Sequence, residues 1–363
     1  MKVIVDHPRA FISSPLASEI RDAGYEAEQI RKLHDKQLAI IKSQNWFNLY
    51  VPKSFGGLGL PMTEILRLEE GLSWADGSSA WVVTLCSGAA WFVGFLEPGL
   101  AHELFASGEI CFAGSGSVAG ISNYTDAGYE INGYWRFATG ATLASLFTVN
   151  CLVKENGTQI YRDDGSPLVK SFVLKKDEVK IHYTWNSMGM IATGSHSFEV
   201  TNMTIPLNRA FLIDPSKAWI GDPVFQFPFL QLAETTLAVN LSGMTCRFVD
   251  LCEEVIPKKE HKIIKKILDF RTSLDQSRYQ FYEQADSVWH TLASRAALSS
   301  FMLEQLSLAS HNLANRCRQI INELYPFCGL EAADTRTEIN RVWRNFHTAG
   351  QHSLFRLGRL KTH

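Results

Sequence analysis

The spacing of apolar residues changes character twice along the chain. From residue 15 to about 108, apolar positions recur at helical intervals. "SPLASEIRDAGYEAEQIRKLHDKQLAIIKSQN" is polar with spaced apolar residues, and Ser14 or Ser18 is placed to cap its start. "VPKSFGGLGL" (51–60) is a loop punctuated by Pro and Gly. "PMTEILRLEEGLSWAD" (61–76) opens with a proline, favoured at a first helical position, and continues at helical spacing. "GSSAWVVTLCSGAAWFVGFL" (77–96) carries no charge and is nearly long enough to span a bilayer. No second such segment follows. A helix apolar on every side also suits the core of a large soluble protein, and that is the expectation here. A short helix around 98–107 completes this part.

Near residue 109 the period shortens. From there to about Pro206 the chain shows short runs rich in Val, Ile, Phe, Tyr and Thr, separated by Gly, Asn and Asp. "GYEINGYWRFAT", "LFTVNCLVKENGTQIYR", "VKSFVLKKDEVKIHY" and "HSFEVTNMTIP" predict strands and hairpins of one β domain. From about 226 the helical period returns in "LQLAETTLAVNLSGMTCRFVDLCEEVI", then over about 260–294, 296–325 and 334–355, which predicts a four-helix bundle. The segregated order argues an α+β fold with a helical domain (1–108), a β domain (109–217) and a helical bundle (218–363). "GSGSVAG" (114–120) superficially resembles a dinucleotide loop, but such a loop needs a helix after it, and strands follow.

Composition adds limits. The chain has 363 residues, 46% hydrophobic and 20% charged, with a net charge of −2. That balance gives no electrostatic reason to expect nucleic acid or an anionic membrane as partner. The seven cysteines form no CxxC pair, so neither a disulfide framework nor a metal site is indicated, and a reducing, cytoplasmic setting is expected. "MKVIVDHPRAF" lacks the long apolar stretch and cleavage site of a signal peptide.

Three separated segments resemble one superfamily, the acyl-CoA dehydrogenases and the flavin monooxygenases built on the same fold. They are "VPKSFGGLGLPMTEILRLEEGLSWADGSSAW", the pair "AGYEINGYWRFATGATLASLF" and "WNSMGMIATGSHSFEVTNMTIP", and the closing "LYPFCGLEAADTRTEINRVWRNFHTAGQHS". The resemblance spans nearly the whole chain and implies a flavin, FAD or FMN, between the β domain and the bundle. It implies that "FAGSGS" (112–117) and "RFATG" (136–140) contact the flavin. Thr139 would lie nearest N5, Phe137 and Ala138 along the ring, and Ser115 and Ser117 at the flavin or its phosphate. Taken alone, "GYEINGYWRFATG" is better read as a hairpin with packed aromatics, and the neighbouring motifs reverse that balance. "WNSMGMIATGSHSFEV" is expected to be structural, with Trp185 in the core and His196 at a strand end.

The superfamily runs two chemistries. Dehydrogenases take an α-proton of an acyl-CoA with a glutamate; the monooxygenases use reduced flavin and oxygen to oxygenate a small molecule. The base must reach the proton it takes. Counting from Arg344 and Asn345, one position used for that glutamate falls on His352 and Ser353, with no carboxylate. The other falls on Ala233, beside Glu234, which keeps Glu234 as the candidate base of a dehydrogenase. The monooxygenase branch often has "WRD" or "WRN" and then a histidine at the His352 position. On an ideal helix Arg341, Asn345, Thr348 and His352 share one stripe, with His347 on another. His352 is therefore the candidate to take a phenolic proton or to hydrogen-bond the reacting oxygen. Trp81, Ser87 and Trp91 are candidate pocket residues.

The departures also carry information. Where relatives hold the FAD pyrophosphate with an "RxxFG"-like stretch, this chain has "EEVIPKKEHKIIKKILDFRTS". Its lysines (258, 259, 262, 265 and 266) are candidate phosphate partners or a solvated helix face. The resemblance implies a small-molecule substrate, a separate flavin reductase as partner, and a homo-oligomer, a tetramer. The same losses would suit a relative without catalysis.

Overall fold

The computed structural model describes residues 5–356 apart from 107 and 109. The first residues of the N-terminal segment read for a leader (1–4), and 357–363 of the expected bundle domain, lie outside them. The N-terminal part holds α1 (Ser14–Asp22), α2 (Gly24–Gln29), α3 (Asp35–Ser43), α4 (Met62–Ala75), α5 (Gly77–Ala90) and α6 (Pro98–Phe105). The polar stretch expected as one helix breaks at Ala23 and again at Arg31, whose φ of 56° ends the second piece. Neither Ser14 nor Ser18 is the cap. Ser13 occupies that position without a side-chain bond, whereas His34 caps α3 reciprocally with Gln37. Pro61 lies one residue ahead of α4 rather than in its first turn.

The uncharged segment becomes α5 and a 3-10 turn (Trp91–Phe95). Gly77–Phe95 is long and apolar enough to cross a membrane, but most of it is buried inside this fold. Asp76 caps α5 by accepting from the Ser79 N–H at 2.8 Å. The helix is apolar on every side because it packs against α4, α7, α11 and β1.

The β domain is one mixed sheet of β1 (Phe112–Thr125), β2 (Gly128–Ala138), β3 (Leu146–Glu155), β4 (Thr158–Gln159), β5 (Val169–Lys175), β6 (Lys180–His182), β7 (His196–Ile205) and β8 (Ala210–Phe211). The order is β6-β7-β2-β1-β3-β5-β8, with β4 on β3. β1 and β3 are parallel and the other pairs antiparallel. "GSGSVAG" lies inside β1, with no helix after it. Trp135 stacks on Phe198 at 5.4 Å in the core beneath this sheet.

The C-terminal part holds α7 (Phe229–Val255), α8 (His261–Ala293), α9 (Ser300–Leu324), α10 (Gly329–Ala333) and α11 (Glu338–Ala349). Three of the expected bundle helices are long. The fourth is not, and this corrects the expected 334–355 helix. Thr337 caps α11 and the chain leaves it at Gly350, so His352 begins a 3-10 turn (Ser353–Phe355) instead of continuing the Arg341–Asn345–Thr348 stripe. Within the bundle, fully buried Arg278 donates to both oxygens of Glu70 at 2.8 Å, and Tyr282 and Ser242 donate to the same carboxylate. Every hydrogen-bonding direction of this charge is used, which is the condition for burying it.

Candidate functional site

The end of β2 departs from regular strand geometry. Its register with β7 shifts between Trp135 and Ala138, and Phe137 between them has φ 65°. A left-handed conformation in an aromatic residue costs about 1–3 kcal/mol and marks a site where the fold insists on it. Phe137 is also 60% exposed. Its ring is held by two neighbours and otherwise open. Trp185 meets it edge-on at 6.2 Å, and the Arg136 guanidinium lies 4.7 Å from its centre.

Beneath this ring the chain turns inward. Ala138 is buried, and so is Thr139, whose hydroxyl lies 2.9 Å from that of Ser195. Ser195 is 2.7 Å from the Thr193 hydroxyl, which donates to the Met190 carbonyl at 2.9 Å. The Gly140 N–H donates to Thr193 O at 3.0 Å, and at φ 72° only glycine sits there without strain. A Cβ on Gly140 would also press on the Cys86 sulfur. Ser115 and Ser117 lie at the same end of the neighbouring strand β1, where its register with β3 is interrupted between Gly114 and Val118. Ser115 is half-buried and accepts from the Ser117 N–H at 3.4 Å; Ser117 is exposed. A bulged strand leaves backbone groups outside the ladder.

α5 brings this corner to the C-terminal turn. The Cys86 thiol reaches the Thr139 carbonyl at 3.8 Å, while Trp81 meets the His352 ring edge-on at 6.2 Å. Those two residues are about 7–8 Å apart along a helix axis. His352 Nδ1 accepts from the Leu354 N–H at 3.3 Å. In that bond Nδ1 carries no proton, which leaves Nε2 as the nitrogen that carries one. Of the other pocket candidates, Trp91 is buried and donates to Val224 O at 2.9 Å, and Ser87 donates to Thr84 O at 3.4 Å. His196 starts β7, and its Nδ1 accepts from Trp185 N at 3.1 Å. Burial and the Arg31 charge hold His196 below its ordinary value.

Glu234 lies on α7 of the bundle, not at the β2 end. It is 5% exposed, and its Oε1 accepts from His311 Nε2 of α9 at 3.1 Å. Its Oε2 is buried without a protein partner. His347, also buried at its Nε2, packs against Trp343 at 4.4 Å and is held below its ordinary value by burial and the Arg318 charge.

Several site-forming residues escaped the sequence. Asn345 Oδ1 accepts from the Met190 N–H at 2.6 Å. Arg344 makes a two-pronged bond to Glu28 at 3.0 and 2.7 Å and donates to Met188 O at 2.8 Å. Arg31 donates to Trp185 O at 2.9 Å. Together they fasten the 185–195 loop, and so Thr193 and Ser195, to α2 and α11. The signal was present in "WRN", but its partners are more than 150 positions away in the chain. The lysine run is mostly solvated: Lys258, Lys259, Lys262 and Lys265 are exposed, and Lys266 pairs with Glu323 at 3.0 Å. Among the described residues no cluster of His, Cys, Asp and Glu could hold a metal. Two surface hollows, of about 330 and 500 Å³, lie along the seam of the N-terminal helices with the β domain, away from His352.

An exposed, strained aromatic at a strand end, with bulged backbone beside it and a buried hydroxyl chain beneath, fits one face of a flat polar-edged ring. Residues 224–357 match the family model described as "Acyl-CoA dehydrogenase, C-terminal domain". An indole-3-acetate monooxygenase of Acinetobacter baumannii is 25% identical over 93% of this chain and 88% of its own. The HsaA monooxygenase of M. tuberculosis superposes with a TM-score of 0.88 at 22% identity, over 96% of this chain and 93% of that one. XiaF from Streptomyces sp., solved in complex with FADH2 and glycerol, superposes with a TM-score of 0.85 at 19% identity, over 96% and 91%. The chain is an enzyme of the flavin-dependent oxidoreductase class. Within that class it has the acyl-CoA dehydrogenase-like fold and is related to the flavin-dependent two-component monooxygenases.

Proposed function

We propose that this chain is the oxygenase component of a two-component flavin monooxygenase. It takes reduced FAD from a separate reductase and hydroxylates a small aromatic molecule. The observation that carries the proposal is Phe137, an aromatic kept exposed in a strained conformation at the strand end where the flavin-contact segment falls. The relatives named as monooxygenases, and XiaF solved with FADH2, support the cofactor and the chemistry. Bound reduced flavin supplies the two electrons by which one atom of oxygen goes to substrate and the other to water.

The chain's own residues bind, orient and shield. Phe137 and Ala138 would hold the ring, and the bulged Ser115–Ser117 stretch would offer it backbone and hydroxyl groups. Thr139, tied to Ser195 and Thr193, keeps its backbone at a fixed depth. His352 would hold a proton on Nε2 for the reacting oxygen, and Trp81 of α5, packed edge-on against its ring, would help exclude water. Ser353 offers no carboxylate where many dehydrogenases carry their base, and Glu234 has one oxygen committed to His311. The protein is cytoplasmic and assembles as a homo-oligomer, a tetramer as in its superfamily.

The test is a titration with oxidised and reduced FAD and FMN in the absence of oxygen. Tighter binding of reduced FAD, followed by hydroxylated product when oxygen is admitted, supports the proposal. Bleaching of bound FAD by an acyl-CoA without oxygen would replace it with dehydrogenation. No binding of either redox form would contradict both.

A further inference from the structure

The turn that carries His352 is held from behind by two helices, α7 and α9. Phe355 is 3% exposed, and its N–H donates to His352 O at 3.0 Å. Its ring is met edge-on by His311 at 5.1 Å. Arg318, two turns further along α9, donates to Phe355 O at 3.2 Å and reaches Gly350 O at 3.5 Å. Both ends of the turn are thus fastened to one face of α9. His311 is in turn fixed by Glu234 of α7, with side chains only 10% and 7% exposed.

We infer that Glu234 and His311 are positioning residues. They form a brace that sets the aim of His352 through Phe355. An imidazole ring free to rotate would not hold one edge against Phe355. A carboxylate accepting from Nε2 fixes both ring orientation and tautomer, as in other carboxylate–histidine pairs. Burying this pair carries a desolvation cost, and Glu234 Oε2 has no partner to offset it. Apolar side chains would pack there at less cost, so the pair's return is geometric: a displacement of about 1 Å at a reacting group can cost a hundredfold in rate. The catalytic half of this inference rests on His352 acting in the proposed reaction. The mechanical half does not.

Hydrogen exchange of the flavin-free protein tests the mechanical half. Glu234→Ala and His311→Phe, the second filling the volume of the ring it replaces, should speed exchange across 350–356 by about tenfold or more, because the turn's amides would open locally. Glu234→Gln, which still accepts from His311, should exchange as the parent does. Turnover tests the catalytic half. The first two variants should lower kcat severalfold with KM for substrate within about twofold, and Glu234→Gln should restore it. Parental exchange in Glu234→Ala would overturn the brace, as would a Glu234→Gln variant as loose as Glu234→Ala. Unchanged turnover in His352→Ala would instead overturn the role of His352 itself.

Discussion

The end of β2 and the inner face of α11 meet the same loop and are built in opposite ways. Around α11 the polar side chains that face the loop are used. Arg344 grips a Glu28 side chain only 4% exposed, and Asn345 caps the Met190 amide. At the β2 end the backbone is strained and a large apolar ring is left in the open. One region spends side chains to hold the loop still. The other holds back contacts that a folding chain would normally make. Natural proteins break local rules where another molecule completes the packing. Under the proposed function, the difference separates a scaffold from a surface that the flavin would complete.

The contrast can be broken most forcefully at Arg344. Arg344→Ala should destabilise the protein by about 3–5 kcal/mol, since it strands a buried carboxylate, and denaturant unfolding would show it. A loss below about 1 kcal/mol would mean that the α11 seam is not scaffold. Asn345→Ala should cost less, about 1–3 kcal/mol, for one unsatisfied buried amide.

Phe137→Gly should behave in the reverse sense. It relieves the left-handed strain, so stability should stay level or rise by up to about 1 kcal/mol, offset in part by the freer unfolded chain. Reduced-flavin affinity should fall about tenfold or more, read by anaerobic titration. Loss of stability with unchanged flavin affinity would make Phe137 an ordinary packed residue.

The smallest expected effect is that of pH on His347. Burial and the Arg318 charge hold its folded value below the ordinary 6.5. Above 6.5 the ring is neutral folded or unfolded, and its contribution is intact. As pH falls below that point the unfolded chain takes a proton that the folded one resists, so stability declines. A melt series from pH 8 to 5 should show this decline, and His347→Phe should flatten it.

The layer order was legible in the sequence because it depends on local period, which a chain cannot hide. Strand texture begins near 109, β1 starts at Phe112, and the uncharged 77–96 segment becomes buried helix. What failed was local capping and termination. His34 rather than a serine caps a helix, Arg31 breaks one without Gly or Pro, and α11 stops at Ala349 ahead of the predicted 355. That last error moved His352 off a helical stripe and onto a turn, where its Nδ1 caps the Leu354 amide. "RFATG" was read as a flavin-contact segment only through resemblance. Its strain, its exposure and the hydroxyl chain beneath it depend on partners such as Ser195, about fifty residues away. Glu234 stood out as a candidate base only through the resemblance, and nothing in the sequence joined it to His311.

The central claim is that the exposed corner at Phe137 and Thr139 receives reduced flavin. Its most direct measurement is an anaerobic binding titration of the protein with reduced and oxidised FAD, run in parallel on Phe137→Gly. Tight binding of reduced FAD, weaker binding of oxidised FAD, and loss of the former in the variant are the predicted results. Equal binding of reduced FAD by both proteins, or by neither, would contradict it.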